Sequence, residues 1–396
     1  MRKITLVLLC LVGLVGCSAM DYAKESVSGI YDYFSGGEDN STPPTPLVEY
    51  HQELEAQIVW KESIGVGADG HTLKLIPAIG GGKVIAADRE GVVQARDAKT
   101  GSLLWEVQTE IPFSAGPGLA AGRIILGSGK AKVVALNSEN GEQLWEATVS
   151  SEVLAVPVIT KGIVIVRTAA GTVVALDEKT GKRLWDYEHS VPALSIRGTG
   201  MPLVIKDNVI VGYDNGKLVA LKLSNGKYVW ETTIAMPKGR SEIERLVDLD
   251  VDPIEVDGTI YIASYNGGIS AVSASDGEVM WRNEKISSHT GLSYDRSHLY
   301  LSDSIGQVLQ IEQSRGAGLW SQKELNHRKL TAPALYQNYV VVGDFEGYVH
   351  WLSTRDGRQL GRVQITDTGI GVKPVVADGI VYVYAKDGTL AALTAH

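Results

Sequence analysis

Several stretches of this 396-residue chain carry the letters of a chemical site, and each lacks the surroundings that the chemistry needs. Gly65, Gly67 and Gly70 in "GVGADG" fit the G-x-G-x-x-G turn that seats a pyrophosphate on a helix N-terminus, but "HTLKLIP" follows where the helix should begin. "GGGK" (80–83) has neither the spacing nor the Ser/Thr of a phosphate-binding loop. Asp248 and Asp250 in "DLDVDP" open like a calcium loop, yet Pro253 stands where the sharp turn takes glycine and Thr259 where a bidentate Glu belongs. The eight histidines are scattered without an H-x-x-x-H or H-E-x-x-H pair, and no G-x-S-x-G nucleophile turn occurs. Glu242 and Glu244 fall in a loop and read as solvated charge. The expectation is a chain with no catalytic residue, no cofactor and no metal.

The elements that could position any site come from a repeat. Trp60, Trp105, Trp145, Trp185, Trp230, Trp281 and Trp320 recur at intervals of 39 to 51 residues, and a glycine stands four residues before six of them, from Gly101 to Gly316. Gly357 continues the series, with Gly361 in the tryptophan place. Within one unit, "VPVITKGIVIVRTAAGTVVALDEKTGKRLW" (156–185) breaks into four short β-rich runs separated by Lys-Gly, Ala-Ala-Gly and Thr-Gly turns. Four antiparallel strands per repeat of about 40 residues is the pattern of a β-propeller blade. The turn residues explain themselves: Asp177 can accept bonds from the following backbone, Gly181 allows a positive φ, and Trp185 offers a flat ring to the next blade.

Counting gives eight blades if the ring closes between its ends. "AQIVWKES" (56–63) is an outer strand without three partners, and "VKPVVADGIVYVYAKDGTLAALTAH" (372–396) is three strands without an outer one. Joining them completes an all-β, eight-bladed propeller over 51–396 and hides both strand edges. A seven-bladed ring with a stray strand is the alternative.

The N-terminus predicts export. Arg2 and Lys3 precede a twelve-residue apolar run, Ile4–Val15, too short to span a bilayer, and then Gly16 and Cys17. "LVGC" (14–17) resembles the lipobox of bacterial lipoproteins, which assigns residues 1–16 to a signal peptide and lipidation to Cys17. Ser18 follows, not the Asp of inner-membrane retention, which favours the outer membrane. Residues 17–50 include "GGEDNSTPPTPLVEY" and read as a lipidated, flexible tether. With Cys10 removed and Cys17 acylated, no thiol remains for a disulfide or a metal. Losing Arg2 and Lys3 takes the formal charge from −9 to −11, and no basic run offers a nucleic-acid footprint.

The A-x-D-x-x-T-G-x-x-x-W pattern at 95–105 and 175–185 resembles the tryptophan-docking motif of the PQQ-like β-propellers. One branch, the quinoprotein dehydrogenases, holds pyrroloquinoline quinone. The other, the BamB-type lipoproteins, uses an empty ring as a scaffold of the outer-membrane β-barrel assembly (BAM) machinery. Lipobox, acidic linker and eight compact repeats look like the second branch, and the absent cysteine pair argues against the first. A polysaccharide-binding propeller of the envelope is a further alternative. The resemblance implies a lipid-anchored protein on the periplasmic side of the outer membrane. It also implies BamA, with its POTRA repeats, and other BAM subunits as partners, together with unfolded outer-membrane precursors.

Function is sought where the repeat departs from itself. From the tryptophan place to the proline opening the next blade the distances are 17, 12, 12, 17, 23, 13 and 13 residues, so three connections are enlarged. All emerge on one face, and those at 186–201 and 231–252 are successive and expected to be neighbours. "YEHSVPALSIRGTG" (187–200) offers Leu194, Ile196 and Arg197, and "AMPKGRSEIERLVDLDVD" (235–252) ends in Asp248 and Asp250. Apolar anchors beside an arginine and paired carboxylates suit a protein-binding patch. Arg197 pairing with Asp248 or Asp250 merely to brace the loops is the competing account. In BamB-type proteins the segments matching "LSIRG" and "DLD" carry the contacts to BamA, which implicates the same five residues.

Overall fold

The computed structural model describes residues 42–192, 194–196 and 198–396, and strands and turns account for all of its regular structure. Cys17, the signal region and Arg197 lie outside the described residues. Seven sheets follow directly along the chain, the first built from Ala78–Gly80, Lys83–Ala87, Val92–Asp97 and Leu103–Gln108, the seventh ending at Gln359–Gln364. The eighth joins Val375–Ala377, Ile380–Tyr384 and Thr389–Ala395 to Ala56–Ser63, with Trp60 opposite Ala392. The ring is therefore closed by strand exchange between the two ends of the chain, as its sequence implies. Blades are numbered 1 to 8 in the chain order of their inner strands.

Each blade is built by short-range rules. In blade 3, Thr160 pairs with Ile163 across Lys161 and Gly162, whose φ values of 48° and 80° make the type I′ turn that suits strand twist. Ile163–Arg167 and Thr172–Asp177 are buried along nearly their whole length. Both faces of a blade pack on neighbours, so the two middle strands read as continuous apolar runs without alternation. After Asp177 the chain turns: its Oδ1 accepts the Thr180 N–H at 2.8 Å and the Thr180 hydroxyl at 2.7 Å. Gly181 there has a φ of 68°.

That glycine has a second reason. A Cβ on Gly181 would lie 2.6 Å from the Trp145 ring of the preceding blade, and one on Gly226 would lie 2.5 Å from Trp185. The indole N–H then donates to a carbonyl of the same turn, Trp145 to Glu178 and Trp185 to Leu223, each at 2.8 Å. The motif is thus a clamp between successive blades, each indole removing on the order of 150–250 Å² from water.

Blade 7 lacks the clamp for a reason. Its neighbour, blade 8, has a chain break where the docking turn would be, and Glu55 and His396 exchange backbone bonds of 3.1 and 3.2 Å across it. Leu54 occupies the vacated place: a Cβ on Gly361 would lie 2.6 Å from the Leu54 carbonyl oxygen. Upstream, the Thr45 N–H donates to the Asn326 carbonyl at 3.0 Å, and Arg328 Nη1 donates to the Thr45 carbonyl at 3.1 Å. Arg362 donates to the Val48 carbonyl at 3.0 Å and lies over the Tyr50 ring. Residues 45–55 are fastened along the outside of the ring by these bonds.

One blade departs from four strands. Lys74–Leu75, inside the enlarged connection between blades 8 and 1, pairs in parallel with Ala115 and Gly116 of blade 2 and makes a fifth, innermost strand there.

Candidate partner-binding site

The three enlarged connections meet. The Lys74 ammonium donates to the Thr199 carbonyl at 2.8 Å, the Asp250 carbonyl at 3.1 Å and Asp252 Oδ1 at 2.9 Å, which engages all three of its protons. Thr199 leads into blade 4 and Asp252 into blade 5, neither adjacent to the blade 2 strand beside Lys74, so these bonds cross the central channel. Asp252 Oδ1 also accepts the Met201 N–H at 2.6 Å. A second crossing runs from Lys373, entering blade 8, to the Leu292 carbonyl of blade 6 at 2.7 Å. Burial pushes the Lys373 ammonium down to about 8, against the pull of Asp252 in the other direction.

Within this frame the 186–201 and 231–252 loops are joined by a carboxylate. Asp248 Oδ2 accepts the Ile196 N–H, and Asp248 is only 1% exposed. Asp250, 7% exposed, packs against Gly198, where a Cβ would sit 3.0 Å from Oδ2. Among the described residues neither oxygen of Asp250 has a hydrogen-bond partner. The intervening Leu249 is buried in the core between blades 4 and 5. The residues of "DLD" therefore point alternately into the loop junction and into the core.

The charges behind this junction are unbalanced. Arg167 and Asp214 form a buried pair at 2.8 Å, with Arg167 over the Tyr213 ring and the His189 ring stacked on that same ring at 4.2 Å between centroids. Burial, then the Asp250 charge, pushes the Asp248 carboxyl up to about 8. Burial, then Asp214, pushes Asp250 up to about 7, while Arg167 and Lys74 pull it back. Near neutrality the junction holds protons that ordinary carboxyls would have released.

Leu194 and Ile196 on the shorter loop are half-buried, while Met236 and Ile243 of the longer loop are exposed. The structure thus brings Ile196, Asp248 and Asp250 together, with Leu194 on the same loop. The two carboxylates lie inside the junction, and the apolar side chains reach its surface. Among the described residues no group of three or more His, Cys, Asp or Glu is placed to hold a metal ion, and no helix is long and apolar enough to cross a membrane.

Comparison with known proteins decides the family. The family model described as "Outer membrane protein assembly factor BamB" matches residues 89–322 and 315–396. The chain belongs to the BamB family. The BamB of Pseudomonas aeruginosa is 43% identical over 360 residues, covering 91% of this chain and 94% of its own. Among solved structures, BamB from Moraxella catarrhalis superposes with a TM-score of 0.78 at 28% identity, over 86% of this chain and all of that one. A quinohemoprotein alcohol dehydrogenase from Comamonas testosteroni, with a TM-score of 0.66 at 16% identity, covers 86% of this chain and 76% of its own, and shares the fold alone.

In this BamB-family ring, Lys74 and Asp252 belong to the junction, and Met236 and Ile243 are exposed on its longer loop, although none of the four stood out in the sequence. Met236 and Ile243 lay within a loop already singled out and were legible as apolar residues without a blade. Lys74 and Asp252 were not, because their meeting depends on a contact across the channel between segments 178 residues apart.

Proposed function

We propose that this outer membrane protein assembly factor works as a non-enzymatic scaffold, lipidated at Cys17 and held at the periplasmic side of the outer membrane. Residues 1–16 are its signal peptide and residues 17–50 its lipidated N-terminal stretch. Its partner is BamA, docked through POTRA repeats on the face that carries the 186–201 and 231–252 loops, alongside other BAM subunits. Its further partners are unfolded β-barrel precursors on their way to insertion. Leu194, Ile196 and Arg197 supply the contact side, and Asp248 holds that loop through the Ile196 N–H, with Asp250 packed against Gly198.

The observation that carries the reading is the bond from Ile196 N–H to buried Asp248, within a junction that Lys74 ties across the channel. A loop pre-ordered in this way loses little conformational freedom on docking. Half-buried aliphatic side chains on a rigid loop are the kind of anchor that carries binding energy.

The test is affinity purification of the tagged lipoprotein from membranes. Recovery of BamA is expected, and its loss is expected in Ile196→Glu and Arg197→Glu variants whose thermal unfolding matches the parent. Recovery without BamA overturns the assignment. A bound quinone chromophore with dye-linked dehydrogenase activity, after adding pyrroloquinoline quinone and calcium, overturns the scaffold reading.

A further inference from the structure

The third enlarged connection, residues 64–77 between blades 8 and 1, wraps around a turn of blade 8. The Ala68 and Asp69 N–H groups both donate to the Lys386 carbonyl at 2.9 Å, and the Ile64 N–H donates to the Gly388 carbonyl at 2.8 Å. Glycine is required on the way. A Cβ on Gly67 would lie 2.2 Å from the Gly388 nitrogen, and one on Gly65 would lie 2.0 Å from Asp88 Oδ2, which accepts the Val66 N–H at 3.0 Å. The letters of a pyrophosphate turn thus serve to fasten residues 385–388. The Lys386 N–H adds to the fastening by donating to the Gly369 carbonyl at 2.9 Å.

Between this connection and blade 8 lies a small open recess, with Lys386 in its lining. Most of its wall is apolar, from Ala68, Leu73, Leu75 and Val372. Tyr384 contributes its ring, since its hydroxyl is engaged by the Ala87 carbonyl at 3.1 Å. His71, also in the lining, bonds through Nδ1 to the Asp69 carbonyl at 2.9 Å. Gly371 packs on the lysine stem, where a Cβ would sit 3.1 Å from Lys386 Cε. The contrast with Lys74 is direct. Lys74 engages three acceptors, whereas the half-buried Lys386 ammonium has no hydrogen-bond or ion-pair partner among the described residues. Burial, then the charge of exposed Lys329, pushes it down, and no carboxylate pulls it back. In a chain of formal charge −9, these two cations stand without a counter-charge.

We propose that this recess is a subsite for a carboxylate, carried by an acidic side chain flanked by aliphatic ones on a protein docked at the loop face. The proposal rests on the reading that this face meets a partner. An ammonium with three unused protons makes its strongest bonds to an anion. The apolar wall beside it suits the methylenes of an acidic side chain, which a phosphate lacks. Because Lys386 is fastened by its own backbone and Gly371 confines its stem, little ordering opposes occupation.

The probe is a fluorescent peptide with one Glu between leucines and an amidated end, so that Glu is its only carboxylate, beside its Gln counterpart. Binding to the full chain is read by anisotropy at fixed ionic strength. The Glu peptide is expected to bind about tenfold more tightly, the ratio of one charge-assisted hydrogen bond. Lys386→Met is expected to erase that preference and Lys386→Arg to keep it. Unfolding temperature separates binding from bracing: Lys386→Met removes an unpaired, partly buried charge and is expected to cost no stability. Equal binding of the two peptides, or a preference that survives in Lys386→Met, overturns the proposal. So does a Lys386→Met variant that loses stability along with the preference, since the lysine is then structural. Propionate is expected to displace the Glu peptide at lower concentration than inorganic phosphate does; the reverse order makes the recess a phosphate site and overturns the carboxylate. BamA recovery is measured on the same preparations. A chain that recovers BamA without preferring Glu loses the recess proposal alone, and one that prefers Glu without recovering BamA keeps the recess and loses the BamA assignment.

Discussion

The two faces of this ring use the same residue, aspartate, in opposite ways. On the turn face Asp177 stays exposed and accepts bonds from Thr180, which, with the backbone of Lys179, holds its carboxyl below the usual range. On the loop face Asp248 and Asp250 are buried beside Asp214, and their carboxyls are pushed up to about 8 and about 7. A turn that satisfies its own polar groups can be copied around a ring without reference to its neighbours. A junction that buries carboxylates with too few partners is specific to one place and destabilised by its own charge. The contrast separates the part of the molecule that makes the ring stable from the part that fixes the loop proposed to meet a partner.

The clamp gives the largest expected effect. Trp185→Ala empties the space over Gly226 and removes the bond to the Leu223 carbonyl. A loss of about 3–5 kcal/mol is expected in denaturant unfolding, as for other large-to-small substitutions of buried aromatics. Trp351, which lies outside the repeat series and is fully buried in the blade 7 core, is expected to show a loss of the same order without any clamp. A Trp185→Ala variant that unfolds at the parental midpoint breaks the idea that the motif is a clamp.

Next come the carboxylates, read through pH. Their folded values lie above the ordinary carboxyl range near 4, so between about pH 4 and 8 the folded state binds more protons than the unfolded one. Stability contributed here is complete at low pH and falls as pH rises through that window. Asp248→Asn with Asp250→Asn removes the fall: near pH 8 the variant is expected to be roughly 2–4 kcal/mol more stable than the parent, and near pH 4 about equal. BamA recovery is expected to survive, because neither carboxylate reaches the surface. Its loss in a folded variant shows that the charges themselves touch the partner.

Lys74→Met is expected to cost about 1–2 kcal/mol, since the carbonyls of Thr199 and Asp250 lose a donor while Asp252 keeps the Met201 N–H. Here docking is expected to weaken with stability, because the ammonium is the tie between the loops and the far side of the channel. Equal loss of stability with full BamA recovery shows the channel crossing to be irrelevant to the loop face.

The difference between the faces also explains what could be read from the residues. Ring, blade count and closure were legible because the clamp is local: Asp177, Gly181 and Trp185 sit within nine positions and recur. The long loops were legible as breaks in that spacing. Their internal geometry was not, since whether Asp248 faces water or Ile196 depends on Leu249 anchoring the segment in the core beneath. The fifth strand at Lys74–Leu75 was hidden for a like reason, as two residues carry no periodicity. The absence of tryptophan at Gly361 was visible, while its cause, Leu54 lying across the missing turn, required the closed ring.

The smallest effect sharpens the comparison most. Asp177→Asn weakens the bonds to Thr180 in one exposed turn, and the unfolding temperature near neutral pH is expected to fall less than in any variant above, with BamA recovery unchanged. Its sign is the informative part. The folded carboxyl of Asp177 lies below its unfolded value, so the stability it brings is present above about pH 4 and disappears as pH falls through the folded value. Parent and Asp177→Asn curves therefore converge on acidification with the parent above, whereas parent and Asp248→Asn, Asp250→Asn curves converge with the parent below. If both pairs approach from the same side, the two faces do not treat their aspartates differently, and the separation of the ring from the loop proposed for docking fails with that result.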